Sequence, residues 1–172
     1  MKAIILKEFG PAENLQVVEV PTPEIREDEV LIQVKAFGIN PLDAHTRQIP
    51  DWWKIVSGSQ VTEPYVILGW DVAGVVTKTG KNVTKFKEGD AVYGLINFLG
   101  EGKTYAEYVS APENHLALKP ENISFEEAAA ATMAAQTAWV SLVHYGKIKK
   151  GDKVVITGAS GETHAEIGRA HV

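Results

Sequence analysis

Residues 154–161 read Val-Val-Ile-Thr-Gly-Ala-Ser-Gly, a short β-branched apolar run that ends in a glycine-rich turn. A dinucleotide-binding βαβ unit begins this way. A buried strand delivers the chain to a tight turn, and its backbone N–H groups, with the next helix N-terminus, favour a pyrophosphate. Such a unit needs a helix and a further parallel strand behind the turn. Here Glu162-Thr163-His164-Ala165-Glu166-Ile167-Gly168-Arg169-Ala170-His171-Val172 follows, without that alternation. Gly158, Ser160 and Gly161 are therefore candidate cofactor-binding residues in a truncated setting. A ligand-free tight turn accounts equally well for a strand plus Gly-x-x-Gly taken alone.

A chain of 172 residues can form one good-sized domain plus a fragment, with a core that needs no staples. It has no Cys, so disulfides, thiolate metal sites and a Cys nucleophile are excluded. A net charge of −5 without a basic cluster argues against nucleic acid as a partner. No apolar run approaches the roughly 20 residues that span a bilayer. Lys2 is followed by only Ala3-Ile4-Ile5-Leu6 before Lys7-Glu8, which is not a signal-peptide pattern. The expectation is a cytoplasmic protein with no membrane partner.

The first 120 or so residues read as short strands separated by turns. Lys2–Lys7 and Leu15–Val20 bracket Gly10-Pro11, and Pro21 and Pro23 end the second run. Glu29–Phe37 places Ile32, Val34 and Ala36 on one face against Gln33 and Lys35 on the other. Val72–Thr77, Ala91–Ile96, Tyr105–Ser110 and His115–Leu118 follow, punctuated by Gly80, Asn82, Gly89-Asp90 and Pro112. Many short strands with regular turns predict a barrel or sandwich. The period then changes. Ser124 and Glu127 form a capping box, which predicts a helix over Phe125–Tyr145 with Gly146 as its stop. That helix is rich in Ala, at 128–131, 134, 135 and 138. Small side chains suit a domain junction, and high helix propensity explains them equally well. Lys153–Thr157 reads as the strand before the glycine turn.

Two further segments carry candidate chemistry. In Gly69-Trp70-Asp71-Val72-Ala73-Gly74-Val75-Val76, glycines at both ends imply close backbone packing or unusual φ. In Ala36-Phe37-Gly38-Ile39-Asn40-Pro41-Leu42-Asp43 a strand leaves through Gly38 into a short helix opened by Pro41. Asn40 and Asp43 sit where that strand ends, a place suited to reactive groups. Asx-type turn capping is the competing explanation.

In order along the chain stand Met-Lys-Ala-Ile, Gly-Ile-Asn-Pro-Leu-Asp, Gly-Trp-Asp-Val-Ala-Gly-Val-Val, Lys-Glu-Gly-Asp-Ala-Val-Tyr-Gly, Tyr-Ala-Glu-Tyr-Val, Gln136-Thr137-Ala138-Trp139 and Val-Ile-Thr-Gly-Ala-Ser-Gly. Through residue 161 the chain thus resembles the medium-chain dehydrogenase/reductase superfamily, specifically its zinc-free quinone oxidoreductase branch, the zeta-crystallin-like proteins. The resemblance implies a mainly β fold with some α. A GroES-like, partly open β-barrel catalytic domain (1–123) would precede a junction helix and the truncated start of a Rossmann domain (124–161). Zinc alcohol dehydrogenases carry Cys where Asn40 stands, a His-Glu pair where Trp70-Asp71 stands, and a four-cysteine lobe that this chain lacks. The five histidines match no family ligand position, so no metal site is expected.

Without zinc, a quinone or conjugated enone is still electron-poor enough to accept hydride, and hydrogen-bond donors can stabilise the developing oxyanion. The resemblance implies hydride transfer from NADPH to such a small molecule, with NADH left open as the donor. It places Asn40, a hydrogen-bond donor, and Asp43, a support for backbone or cofactor, in the catalytic cleft. Thr137 would approach the nicotinamide, and Ser160 and Gly161 would lie beneath the pyrophosphate. Trp52 and Trp53, in the loop after the short helix, could wall an apolar acceptor pocket or simply pack that loop. Tyr93 is a further cleft residue. Family members are often homodimers through the Rossmann sheet.

Glu166–Val172 also matches one reading frame of a common sequencing adapter, so residues 162–172 are expected to be non-native. A chain ending there is expected to be inactive and to leave NADPH unbound. Two rival readings stand beside the enzyme: a non-catalytic protein that keeps the fold for binding or structural work, and a stand-alone GroES-like interaction module. The glycine turn counts against the module, which has no use for it.

Overall fold

The structure is a computed structural model that describes residues 1–58 and 64–156. The chain forms two compact units, Met1–Ala130 and Ala131–Val172. The glycine turn and everything after it lie outside the described residues.

The first unit is built on two antiparallel sheets. The smaller contains β1 (Lys2–Leu6), β2 (Leu15–Glu19) and β4 (Val66–Ile67), with β1 in the centre. The larger runs β7 (Tyr108–Pro112), β3 (Glu29–Ala36), β5 (Asp71–Thr79), β6 (Ala91–Leu95), β8 (Ala117–Leu118). Two short helices, α1 (Pro41–Gln48) and α2 (Pro50–Ser57), fill the connection from β3 to β4.

Alternation sets which residues enter the core. On one face of the large sheet Val30, Ile32, Val72, Val76, Val92 and Val109 are almost completely buried, and Ile96 and Leu116 close the cluster. The opposite face carries Ala36, Ala73 and Tyr93, which pack against Ala128 and Ala129. The expected inward face of β3 holds at Ile32 and Val34, with Lys35 exposed, but a register shift between Val34 and Ala36 turns Ala36 to the opposite face, which corrects its expected place. Gly74 is needed because β3 crosses so close that a Cβ there would stand 2.2 Å from the Gln33 carbonyl oxygen. Gly69 adopts φ 92, and a Cβ would meet Thr104 Oγ1 at 2.2 Å. Both expectations for this glycine pair, close packing and unusual φ, therefore hold, one at each end.

The expected strand over Tyr105–Ser110 is two separate pairings. The Tyr105 N–H donates to the Leu68 carbonyl (3.1 Å), and Ala106 bridges Ala3 of the small sheet. Only from Tyr108 does the chain pair with β3. The segment therefore joins the two sheets and begins its own strand late. His115–Leu118 is similarly divided, with a 3-10 turn over Glu113–His115 ahead of β8.

The expected helix is present as α3 (Phe125–Trp139), continued by π-helical Val140–Tyr145. Its capping box is formed. The Glu127 N–H donates to Ser124 Oγ (3.1 Å), and the Ser124 N–H donates to Glu127 Oε2 (2.8 Å). Gly146 ends the helix with helical φ, and the left-handed conformation falls on Lys147 (φ 48). Residues 153–156 carry no strand, because a strand exists only as part of a ladder and these have no ladder partner among the described residues.

Candidate functional site

The site grows from the end of β3. Gly38 lets the chain leave the sheet in contact with its neighbours, where a Cβ would come 2.9 Å from Asp71 Oδ2 and 3.0 Å from the Ala129 carbonyl oxygen. Asn40 is the N-cap of α1, and Pro41 follows with its φ preset for the first turn. Asp43, three positions on, turns back. Its Oδ2 accepts the Asn40 backbone N–H at 2.8 Å. Capping, the competing explanation for Asp43, is thus part of what this residue does.

The Asn40 side chain meets Asp43 in the capping box and also reaches Asp71. Its Nδ2 donates to Asp71 Oδ2 at 2.5 Å, linking the end of β3 to the start of β5. Asn40 therefore joins two carboxylates, one through its backbone and one through its amide, and all three residues are buried. Desolvation raises the Asp43 carboxyl from 3.8 to about 6. The Asn40 N–H opposes this, and the nearby Asp71 charge reinforces it. Asp43 Oδ1 is buried without a hydrogen bond. The Tyr105 phenol faces Asp43 and is itself pushed up, first by burial and then by the Asp43 charge. The Tyr105 ring stacks on Phe37 with centroids 4.5 Å apart. Beside that pair opens a groove of about 480 Å³, lined by Ala36, Phe37 and Tyr105 among others.

Trp70, just before Asp71, is 1% exposed, and its Nε1 donates to the Gly100 carbonyl at 2.9 Å. A tetrahedral zinc centre needs thiolate, imidazole or carboxylate ligands converging on one point. Here an amide is bonded to a carboxylate beside an indole, and no group of three or more His, Cys, Asp or Glu among the described residues could hold a metal. The residues present do not fit zinc.

The other expected residues are dispersed. Trp52 and Trp53 lie in α2, which corrects their expected place in a loop. Pro50 opens that helix as its first residue, the one position where a helix accepts proline without loss. Trp53 is buried with its Nε1 unpartnered, while Trp52 is half-exposed with its ring 6.0 Å from His45. Tyr93 sits on β6 directly opposite Ala73, within the alanine cluster. None of these three lines the groove. Thr137 belongs to the second unit, where its hydroxyl donates to the Met133 carbonyl at 2.7 Å. That leaves the hydroxyl oxygen as an acceptor. Gly158, Ser160 and Gly161 lie outside the described residues.

Sequence reasoning missed Asp71 and Tyr105 as members of this cluster. For Asp71 there was a signal, a charge at the head of a strand whose next five residues, Val72 to Val76, carry no polar side chain.

Proteins similar to this chain share its length only in part. It is 39% identical over 167 residues to the NADPH-dependent alkenal/one oxidoreductase of Arabidopsis thaliana chloroplasts, covering 94% of this chain and 42% of that protein. It is 36% identical over 166 residues to the quinone oxidoreductase of Sus scrofa, covering 94% of this chain and 46% of that one. The solved quinone oxidoreductase of Coxiella burnetii superposes with a TM-score of 0.82 at 34% identity, covering 97% of this chain and 51% of that one. The chain thus spans about half the length of the relatives it matches. Residues 26–121 match the alcohol dehydrogenase GroES-like domain, and the chain belongs to that family.

Proposed function

We propose that this chain is the catalytic-domain part of a zinc-independent oxidoreductase that passes hydride from NADPH to a quinone or conjugated enone. The Asn40–Asp71 hydrogen bond carries the reading. It orients a buried amide at the position where, by the resemblance, zinc alcohol dehydrogenases carry a cysteine. Relatives named for quinone and for alkenal/one reduction support the acceptor class, and one is named as NADPH-dependent.

NADPH, when bound, would supply the hydride. The chain's own residues then meet the negative charge that develops on the acceptor oxygen. Asp71 accepts one Nδ2–H of Asn40, which fixes the amide so that its nitrogen keeps a defined direction. The second Nδ2–H is the donor for the oxyanion. Asp43 holds the Asn40 backbone, so the amide need not reorganise as charge appears. In Asp43 and Asp71 alike the carboxylate positions Asn40, and neither is a proton carrier in this scheme.

The test is steady-state kinetics on the complete gene product. Removal of one oxyanion donor costs on the order of 10²-fold in kcat. Asn40→Ala should lower kcat by about that factor with the KM for NADPH unchanged. An Asn40→Ala enzyme within twofold of wild-type kcat would sink the assignment.

A further inference from the structure

Tyr105 is fixed at its backbone and its ring, and only its hydroxyl has no packing role. Its N–H donates to the Leu68 carbonyl at 3.1 Å, and its own carbonyl accepts the Ile4 N–H at 2.8 Å. Its ring stacks on Phe37 with the two planes 27° apart. Gly69 makes room for that ring. At φ 92, a Cβ there would stand 2.5 Å from Tyr105 Cδ1 and 2.7 Å from Cε1. The residue is 5% exposed. Phenylalanine would satisfy every one of these restraints. A hydroxyl buried in such a place costs free energy unless a polar group receives it.

The receiving group is the Asp43 carboxyl. The Tyr105 O–H favours its ionised form against burial, and the Asp43 charge raises the phenol in return. Asp43 Oδ2 is already taken by the Asn40 N–H at 2.8 Å, while Oδ1 is buried without a bond of its own. The other charged groups that act here are Asp71, which raises both groups, and Arg47, which lowers the phenol. Phenol, carboxyl and Asn40 thus stand in a row, although they come from positions 105, 43 and 40.

We propose that Tyr105 is a positioning residue of the reductase, whose phenol O–H steadies the Asp43 carboxyl and, through it, the backbone of Asn40. This rests on the reductase reading above. The phenol keeps its proton and acts only through Asp43. An ionised carboxylate accepts a hydrogen bond more strongly than a neutral one, so a donor that favours ionisation also tightens the hold on Asn40.

Tyr105→Phe in the complete gene product tests this, because it keeps the ring and removes the hydroxyl. The loss of one such bond corresponds to about 3- to 10-fold in rate. The kcat with benzoquinone should fall by that factor while the KM for NADPH holds. The acid limb of the kcat–pH profile should move to higher pH, because Asp43 loses a group that lowers its carboxyl. In an Asp43→Asn background no carboxylate remains for the phenol to steady. There the same change should cost less than about twofold in kcat. A purely structural role would cost the same in both backgrounds and leave the acid limb in place. An equal loss in the two backgrounds, or a Tyr105→Phe enzyme with wild-type kcat and an unmoved acid limb, would overturn the inference and leave the reductase reading standing. A wild type that reduces neither quinones nor enones with NADPH would overturn both.

Discussion

Asp43 gives the sharpest physical prediction. Its side chain is 3% exposed, one oxygen accepts the Asn40 N–H, and the other is buried without a partner. Burial raises its carboxyl from 3.8 to about 6. The folded state thus binds this proton more tightly than the unfolded chain. The stabilisation from the protonated form is fully present below about pH 4 and is lost as pH rises through about 6. The rise from 3.8 to about 6 makes the full loss about 3 kcal/mol. Asp43→Asn removes the titration and keeps an oxygen to accept the Asn40 N–H. Urea unfolding of both proteins, followed by tryptophan fluorescence at pH 4, 5, 6 and 7.5, isolates the effect, because the other carboxylates cancel in the difference. The stability of Asp43→Asn relative to wild type should rise by about 2–2.5 kcal/mol from pH 4 to 7.5. A difference that stays flat, or falls, would refute the claim that desolvation dominates at Asp43.

Other outcomes follow from single contacts. Gly74→Ala sets a Cβ 2.2 Å from a backbone oxygen that cannot yield, so it should cost about 2–3 kcal/mol in urea unfolding. Ser124→Ala removes the cap from the first turn of α3 and should cost about 1 kcal/mol, with Ser124→Thr restoring most of it. Asp71→Ala removes the acceptor that fixes the Asn40 amide. In the complete enzyme it should lower kcat more than it raises the KM for NADPH, as steady-state kinetics would show.

Much of the fold was legible because it rests on local signals. The capping box at Ser124 and Glu127 and the paired glycines at 69 and 74 are demands of nearby backbone, and sequence states such demands openly. The strand from Glu29 was readable from alternation, and Ile32 is buried as that alternation requires. What escaped depends on distant partners. The two-residue strand β4 exists because Ile67 pairs with Ile5. Tyr105 and Ala106 look like the start of a strand but serve the neighbouring sheet. Helix α2, in place of the expected loop at Trp52 and Trp53, opens on Pro50, a residue that would break a helix interior but suits a first turn.

The site shows the same division. Asn40 and Asp43 stood out because they follow a strand and precede a proline, a local pattern. Asp71 is 31 positions away from Asn40, and only the pairing of β3 with β5 brings them within 2.5 Å. The tryptophan pair drew notice by composition, yet Trp53 is spent on packing and Trp52 neighbours His45. The Thr137 hydroxyl is bonded to the Met133 carbonyl within its own helix, a partner four residues away that a local pattern does not announce.

The most direct test of the central claim is the initial rate of NADPH oxidation with benzoquinone and with a conjugated enone, measured on the complete gene product after exhaustive chelation. A zinc-independent reductase built on Asn40 and Asp71 should keep its full rate, and added zinc should not increase it. A rate that disappears on chelation and returns with zinc would contradict the account.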